Sequence, residues 1–158
     1  MPKPAWPGLP RPTAPLPDPH DFGATDQWAL DARSAWDHFG KLTVPQAYEV
    51  FARNPLYYQE DFAFMGPAAF AYYFPVLDRH LREARPSDEY NDCEAWIIGC
   101  GLEDQLRSGH RFGDSFLKEA ADLAAYMSGF VERFGLEDCE NVTKVWEKVA
   151  AAAEKCRG

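Results

Sequence analysis

From Thr25 onward, the apolar residues of this chain recur with the spacing of α-helices, and no stretch alternates long enough to form a β-strand. Amphipathic helices each bury one stripe of side chains, so consecutive helices of this kind must pack on one another around a shared core. Capping residues, glycines and prolines divide the pattern into six or seven segments. The sequence therefore predicts an all-α fold, a single-domain orthogonal bundle over residues 25–158.

The ends of these helices are predicted from local signals. Gly40 is expected to stop the first helix, and Thr43 followed by Gln46 predicts a capping box at the start of the second. Asn54 and Pro55 end the second helix and begin a third. The predicted helices cover about 26–39, 43–53, 55–64, 67–84, 88–107, 114–134 and 139–155.

The start of the chain has a different composition, because eight of the thirteen prolines lie in the first nineteen residues. Proline lacks a backbone donor and fixes φ, so residues 1–24 are predicted to form an extended, polyproline-like arm. Prolines also stand where a signal peptide needs an apolar stretch, and no apolar run is long enough to cross a membrane. We therefore expect a cytoplasmic protein.

Eight of the 23 aromatic residues lie between positions 57 and 74. Residues 68–77 are apolar on every side, which predicts a central helix around which the others pack. Most of this cluster is interpreted as core, but part of it could line a pocket in which Glu60 or Asp61 meets Asp78 or His80 and supplies a general base. The candidate pocket residues are Tyr57, Tyr58, Glu60, Asp61, Tyr73 and His80.

The same region carries a resemblance to a known family. The sequence reads NPLYYQEDF at 54–62, MG at 65–66 and AFAYYFP at 69–75. This block resembles the signature of small bacterial all-α proteins grouped as a domain of unknown function, with weaker similarity over about 28–134. The resemblance implies a helical fold and no activity, substrate or cofactor.

The charge distribution limits the class of partner. The net charge is −9, which argues against nucleic acid because phosphates require a basic surface. Between Pro86 and Leu106 there are acidic residues and no basic ones. If Trp96 and its neighbours Cys93, Ile97 and Cys100 turn inward, these acids form an outer face, which is either a solvated surface or one that steers a basic partner. Its residues are Asp88, Glu89, Asp92, Glu94, Glu103 and Asp104.

No catalytic, cofactor or metal motif is present. The four cysteines fit no metal-ligand spacing, and the His110, Asp114 and Ser115 group is too local to define a triad, since Asp114 and Ser115 are explained by capping of a helix. We therefore expect neither a cofactor nor a metal. The preferred hypothesis is a non-catalytic, protein-binding domain, comparable by size and charge to acidic inhibitors and immunity-type proteins. The alternative is a small-molecule binder or enzyme with its pocket in the region 57–80, and a homo-oligomer is left open.

Overall fold

The structure, a computed structural model, describes residues 16–26, 29–84, 91–130, 132 and 140–157. Within these ranges it contains seven α-helices and no β-strand, which confirms the all-α prediction. In the same part of the chain, no helix is both long and apolar enough to span a membrane. In chain order the helices are α1 (Leu30–Phe39), α2 (Val44–Arg53), α3 (Pro55–Phe64), α4 (Pro67–Glu83), α5 (Asn91–Arg107), α6 (Asp114–Met127) and α7 (Glu140–Arg157).

The chain divides into two compact units, Met1–Arg79 and His80–Gly158. The first contains α1, α2, α3 and most of α4, and the second contains the end of α4 with α5, α6 and α7. The prediction of one domain over residues 25–158 stays a prediction.

Two of the predicted caps are present as expected. Thr43 and Gln46 form a reciprocal capping box at the start of α2, in which each side chain accepts a hydrogen bond from the other residue's backbone N–H. The Asn54 side chain accepts from the N–H of Tyr57 at 3.3 Å, and Pro55 opens α3. These local signals therefore set the start of α3, the helix that carries the candidate site.

Two other helix ends lack a side-chain or left-handed cap at the capping residue itself. Gly40 ends α1 as predicted, with φ −55° and ψ 141°, and the left-handed backbone falls on the next residue, Lys41, with φ 68°. At the start of α6 the N-cap is Gly113, with no side-chain cap. Asp114 therefore lies inside the first turn, where its carboxylate interacts favourably with the positive end of the helix dipole.

Phe22 is part of the core of the first unit. Its side chain is fully buried, and its ring packs edge-on against Trp36, with the ring centroids 5.3 Å apart. The Tyr73 ring lies 5.8 Å from it in a tilted arrangement. A buried phenylalanine is worth about 2 kcal/mol of transfer free energy, which favours docking of the segment that carries it.

The segment around Phe22 is a turn and not extended chain. The N–H of Phe22 donates to Asp18 O at 3.2 Å, and that of Gly23 donates to His20 O at 2.9 Å. In residues 18–24 the structure therefore differs from the extended arm that the prolines predict. The greater part of that arm, residues 1–15, lies outside the described residues.

The turn docks on the start of α4 through a close approach to Gly66. The Gly66 N–H donates to Phe22 O at 2.9 Å, and the Ala69 N–H donates to Asp21 O at 3.3 Å. A Cβ atom at Gly66 would lie 2.4 Å from Asp21 O, so only glycine leaves room for the turn. The glycine between α3 and α4 thus fixes where Phe22 enters the core.

In the second unit, small residues set the contact between α5 and α7. Gly99 lies so close to α7 that a Cβ there would be 2.8 Å from Val145 Cγ1 and 3.2 Å from the Trp146 ring. The Trp146 indole N–H donates to Ala95 O at 3.0 Å. The buried face of α5 therefore includes Ala95 and not Trp96, whose side chain is 45% exposed.

This packing corrects the predicted inner face of α5. Trp96 was predicted to turn inward, but Ala95 and Gly99 form the face of α5 that packs on α7, and the Trp96 side chain is exposed. Ile97 and Cys100 are half-buried, Leu106 is buried, and the side chain of Cys93 is outside the described part.

The apolar residues that recur along α6 are buried from Phe116 through Met127, where the helix ends, seven residues before the predicted end at 134. Residues 133–139 are not described.

Candidate functional site

The most prominent polar contact of the first unit joins α1 to α3. His38 stands one residue before the end of α1, and its Nδ1 atom lies 2.6 Å from Asp61 Oδ2. The Asp61 side chain is only 11% exposed and that of His38 is 27% exposed. A carboxylate at this distance holds the imidazole in one orientation through a hydrogen bond.

Aromatic rings enclose the His38 imidazole. The Tyr58 ring meets it edge-on with the centroids 5.4 Å apart, and the Tyr57 ring lies 5.6 Å away. Tyr57 and Tyr58 also contact each other at 4.9 Å, and Tyr58 packs on Phe39 at 5.6 Å. These ring contacts restrict the motion of both tyrosines and of the imidazole.

Burial dominates the electrostatics of Asp61. Desolvation raises the pKa of this carboxyl above its ordinary value of 3.8, and the neighbouring Glu60 carboxylate raises it further. The hydrogen bond from His38 and the charge of His38 act in the opposite direction. When the imidazole Nδ1–H donates to Asp61, the second ring nitrogen, Nε2, carries the lone pair that could accept a proton or a ligand.

Tyr73, a predicted pocket residue, has a structural role in the core. It is fully buried, and its hydroxyl lies 2.9 Å from Phe39 O and 2.7 Å from Leu42 O, so its single proton is shared between a carbonyl at the end of α1 and one just after it. Burial raises the pKa of the Tyr73 phenol well above its usual range. The residue ties α4 to the end of α1 and leaves no hydroxyl for a ligand.

His80 belongs to the second unit. Its Nε2 atom lies 2.6 Å from Glu94 Oε2, and both side chains are largely buried. Asp61 and His80 thus each have a partner within their own unit, His38 and Glu94, and the predicted meeting of an α3 carboxylate with Asp78 or His80 stays a prediction. Of the six predicted pocket residues, the structure gathers Tyr57, Tyr58 and Asp61 around His38, while Glu60 points to solvent.

The solvent side of α3 carries a second arrangement, which we call the α3 outer face and define as Tyr57, Glu60 and Phe64. Tyr57 is 57% exposed and Phe64 is 48% exposed, and Glu60 between them is also exposed. Residues seven apart on an α-helix differ by only about 20° in direction and are about 10 Å apart along the axis. The two aromatic rings therefore lie in one row with a carboxylate at their side.

The acidic face predicted on α5 is described only in part. Asp88 and Glu89 lie outside the described residues, and the side chain of Asp92 is not described. Glu94 is paired with His80, and Glu103 Oε1 accepts from Arg107 Nε at 3.0 Å. Asp104 is exposed. Two of the three described carboxylates are thus engaged within the chain.

Sequence reasoning did not select His38 or Phe64. His38 belongs to no motif in the sequence, although it directly precedes Phe39, whose ring packs on Phe62 of α3. Its partner Asp61 is 23 residues away, and no local spacing connects them. The seven-residue spacing of Tyr57 and Phe64 was visible, but aromatic density alone favoured burial of both.

Among the described residues, no group of three or more histidine, cysteine or carboxylate side chains could hold a metal ion. Comparisons with family models, with curated proteins and with solved structures find no match to this chain. Membership of the bacterial family that the 54–75 block resembles therefore stays a prediction. The site has to be interpreted from its own geometry.

Proposed function

We propose that this chain is a non-catalytic, cytoplasmic protein-binding domain and that its partner docks on the α3 outer face. The observation that carries the proposal is the row formed by Tyr57 and Phe64, two large aromatic side chains about half exposed on one helix. Aromatic side chains of this kind dominate the binding energy of protein interfaces.

The preorganisation of Tyr57 supports this role. Its ring contacts both His38 and Tyr58, so it is already held while more than half of its surface faces solvent. Immobilising a free side chain on binding costs about 0.5–1.5 kcal/mol, and a ring fixed beforehand avoids part of that loss. The His38–Asp61 contact joins α1 to α3 and so restricts the motion of the helix that carries the α3 outer face.

The net charge of −9 favours a basic partner, as for inhibitor-like or immunity-type acidic proteins. In this proposal the acids of α5 contribute mainly to steering, through the exposed Asp104. Rim charges of this type change association rates more than affinity.

A pull-down from a lysate of the source cells tests the proposal. Tyr57→Ala and Phe64→Ala should each release a protein that wild type retains, and high salt should weaken its retention. Leu30→Ala is the matched control, since Leu30 is an apolar side chain on α1 that is 69% exposed. A partner retained equally by all four proteins would exclude the α3 outer face.

A second candidate function follows from the His38–Asp61 pair, whose geometry would suit a small-molecule site using His38 Nε2. A ligand screen by thermal shift tests it. A compound that raises the Tm of wild type but not of His38→Gln would favour this function. Compounds that stabilise both proteins equally would count against it.

A further inference from the structure

The α3 outer face has an asymmetry that limits what can cover it. Tyr57 and Phe64 are the two ends of the row, and Glu60 lies almost midway between them along the helix. No residue in the described part of the chain forms an ion pair with Glu60. A partner that buries the two rings must also come close to this carboxylate.

A second copy of the chain fits this face poorly. In an antiparallel two-fold pair of α3 helices, Tyr57 would pack on Phe64 of the other copy, as an isologous interface requires. The two-fold axis would then pass next to position 60, and the two Glu60 carboxylates would lie opposite each other on the same side of the pair. Like charges brought together at an interface are strongly unfavourable.

We propose, on the basis of the function proposed above, that the α3 outer face binds a partner segment with an arginine or lysine between two apolar side chains, and that Glu60 selects this segment and prevents self-association. The apolar side chains cover Tyr57 and Phe64, and the cation meets Glu60. An arginine also gains from contact with the face of the Tyr57 ring. Glu60 thus acts as both an attractive and a repulsive specificity element.

The proposed attraction between Glu60 and a cation of the partner is tested with two labelled synthetic helical peptides and the full-length chain. Each peptide carries two leucines seven residues apart, with arginine between them in one and glutamate in the other. Fluorescence anisotropy at low ionic strength should show that wild type binds the arginine peptide, that Glu60→Lys weakens this binding roughly tenfold, and that Glu60→Lys gains affinity for the glutamate peptide.

The proposed repulsion between the Glu60 carboxylates of two chains is tested by sedimentation velocity. Glu60→Leu removes the charge from the axis and should make the chain dimerise, while wild type stays monomeric. Glu147→Leu is the matched control, because Glu147 is an exposed glutamate on α7. Adding Phe64→Ala to Glu60→Leu should abolish the dimer.

The outcomes separate this inference from the proposed function. If Tyr57→Ala and Phe64→Ala lose peptide binding but Glu60→Lys binds both peptides as wild type does, the docking face stands and the role of Glu60 is overturned. If wild type fails to bind the arginine peptide, or if it already dimerises through Phe64, the inference is also overturned. If the alanine variants bind the arginine peptide as tightly as wild type, the face itself is excluded.

Discussion

Substituting Gly66 by alanine tests how the turn at 18–24 is attached to the core. The new Cβ would lie 2.4 Å from Asp21 O and 3.0 Å from Gly23 N, which is well inside contact distance. The obstruction is backbone, so no flexible side chain can move aside. The turn must shift away from α4.

The magnitude follows from what the shift disrupts. The Gly66 N–H to Phe22 O bond and the Ala69 N–H to Asp21 O bond are each worth about 1 kcal/mol net. Displacing Phe22 from the core adds up to about 3 kcal/mol, the lower end of the Phe→Ala range. We therefore expect Gly66→Ala to lower the free energy of unfolding by about 2 to 5 kcal/mol.

The assay is urea unfolding of the full chain followed by circular dichroism. Gly113→Ala is the matched control, since a Cβ there meets nothing within 4 Å and φ is −67°; it should change stability by less than about 1 kcal/mol. Because Gly66→Ala acts through Phe22, the double variant with Phe22→Ala should lose less than the sum of the single variants. Equal effects of the two glycine variants, or strict additivity with Phe22→Ala, would refute the reasoning.

Three further predictions concern single groups. Tyr73→Phe removes the hydroxyl that donates to Phe39 O and Leu42 O and should lower the free energy of unfolding by about 1 kcal/mol in urea titrations, the net worth of one hydrogen bond; a loss below about 0.5 kcal/mol would contradict that role. Burial raises the pKa of the Asp61 carboxyl above 3.8, so the folded chain binds this proton more tightly than the unfolded chain does. The free energy of unfolding of wild type, taken relative to that of Asp61→Asn, should therefore fall as the pH rises above 3.8. An increase of this difference with pH would contradict the prediction. Burial and nearby carboxylates raise the pKa of the Cys100 thiol, so mass spectrometry after brief alkylation should find the exposed Cys156 modified before Cys100, and the opposite order of these two would contradict the placement of α5.

The sequence predicted the helices well where the signals are local. The capping box of Thr43 and Gln46, the Asn54 cap and the proline that opens α3 each act within four residues, and the structure contains all of them. The buried stripe of α6 also follows from spacing alone. Such features are set by the backbone of one turn and do not depend on which helix lies opposite.

Contacts between distant segments could not be predicted in this way. Phe22 lies in a proline-rich segment, and its burial depends on the space left by Gly66, more than forty positions later. Trp96 is displaced from the core because α7 requires a small residue at Gly99. Within the site, Tyr57, Tyr58 and Asp61 were selected from composition, but the pairing of Asp61 with His38 depends on how α1 packs on α3.

Photo-crosslinking from position 64 tests most directly whether the α3 outer face binds a partner. A benzophenone amino acid replaces Phe64 in one protein and Leu30 in a control, and both are irradiated in lysate of the source cells. The account predicts a covalent adduct with a basic protein from position 64, absent from position 30 and lost when Tyr57→Ala is added. An adduct of equal yield from both positions, or one unaffected by Tyr57→Ala, would contradict it.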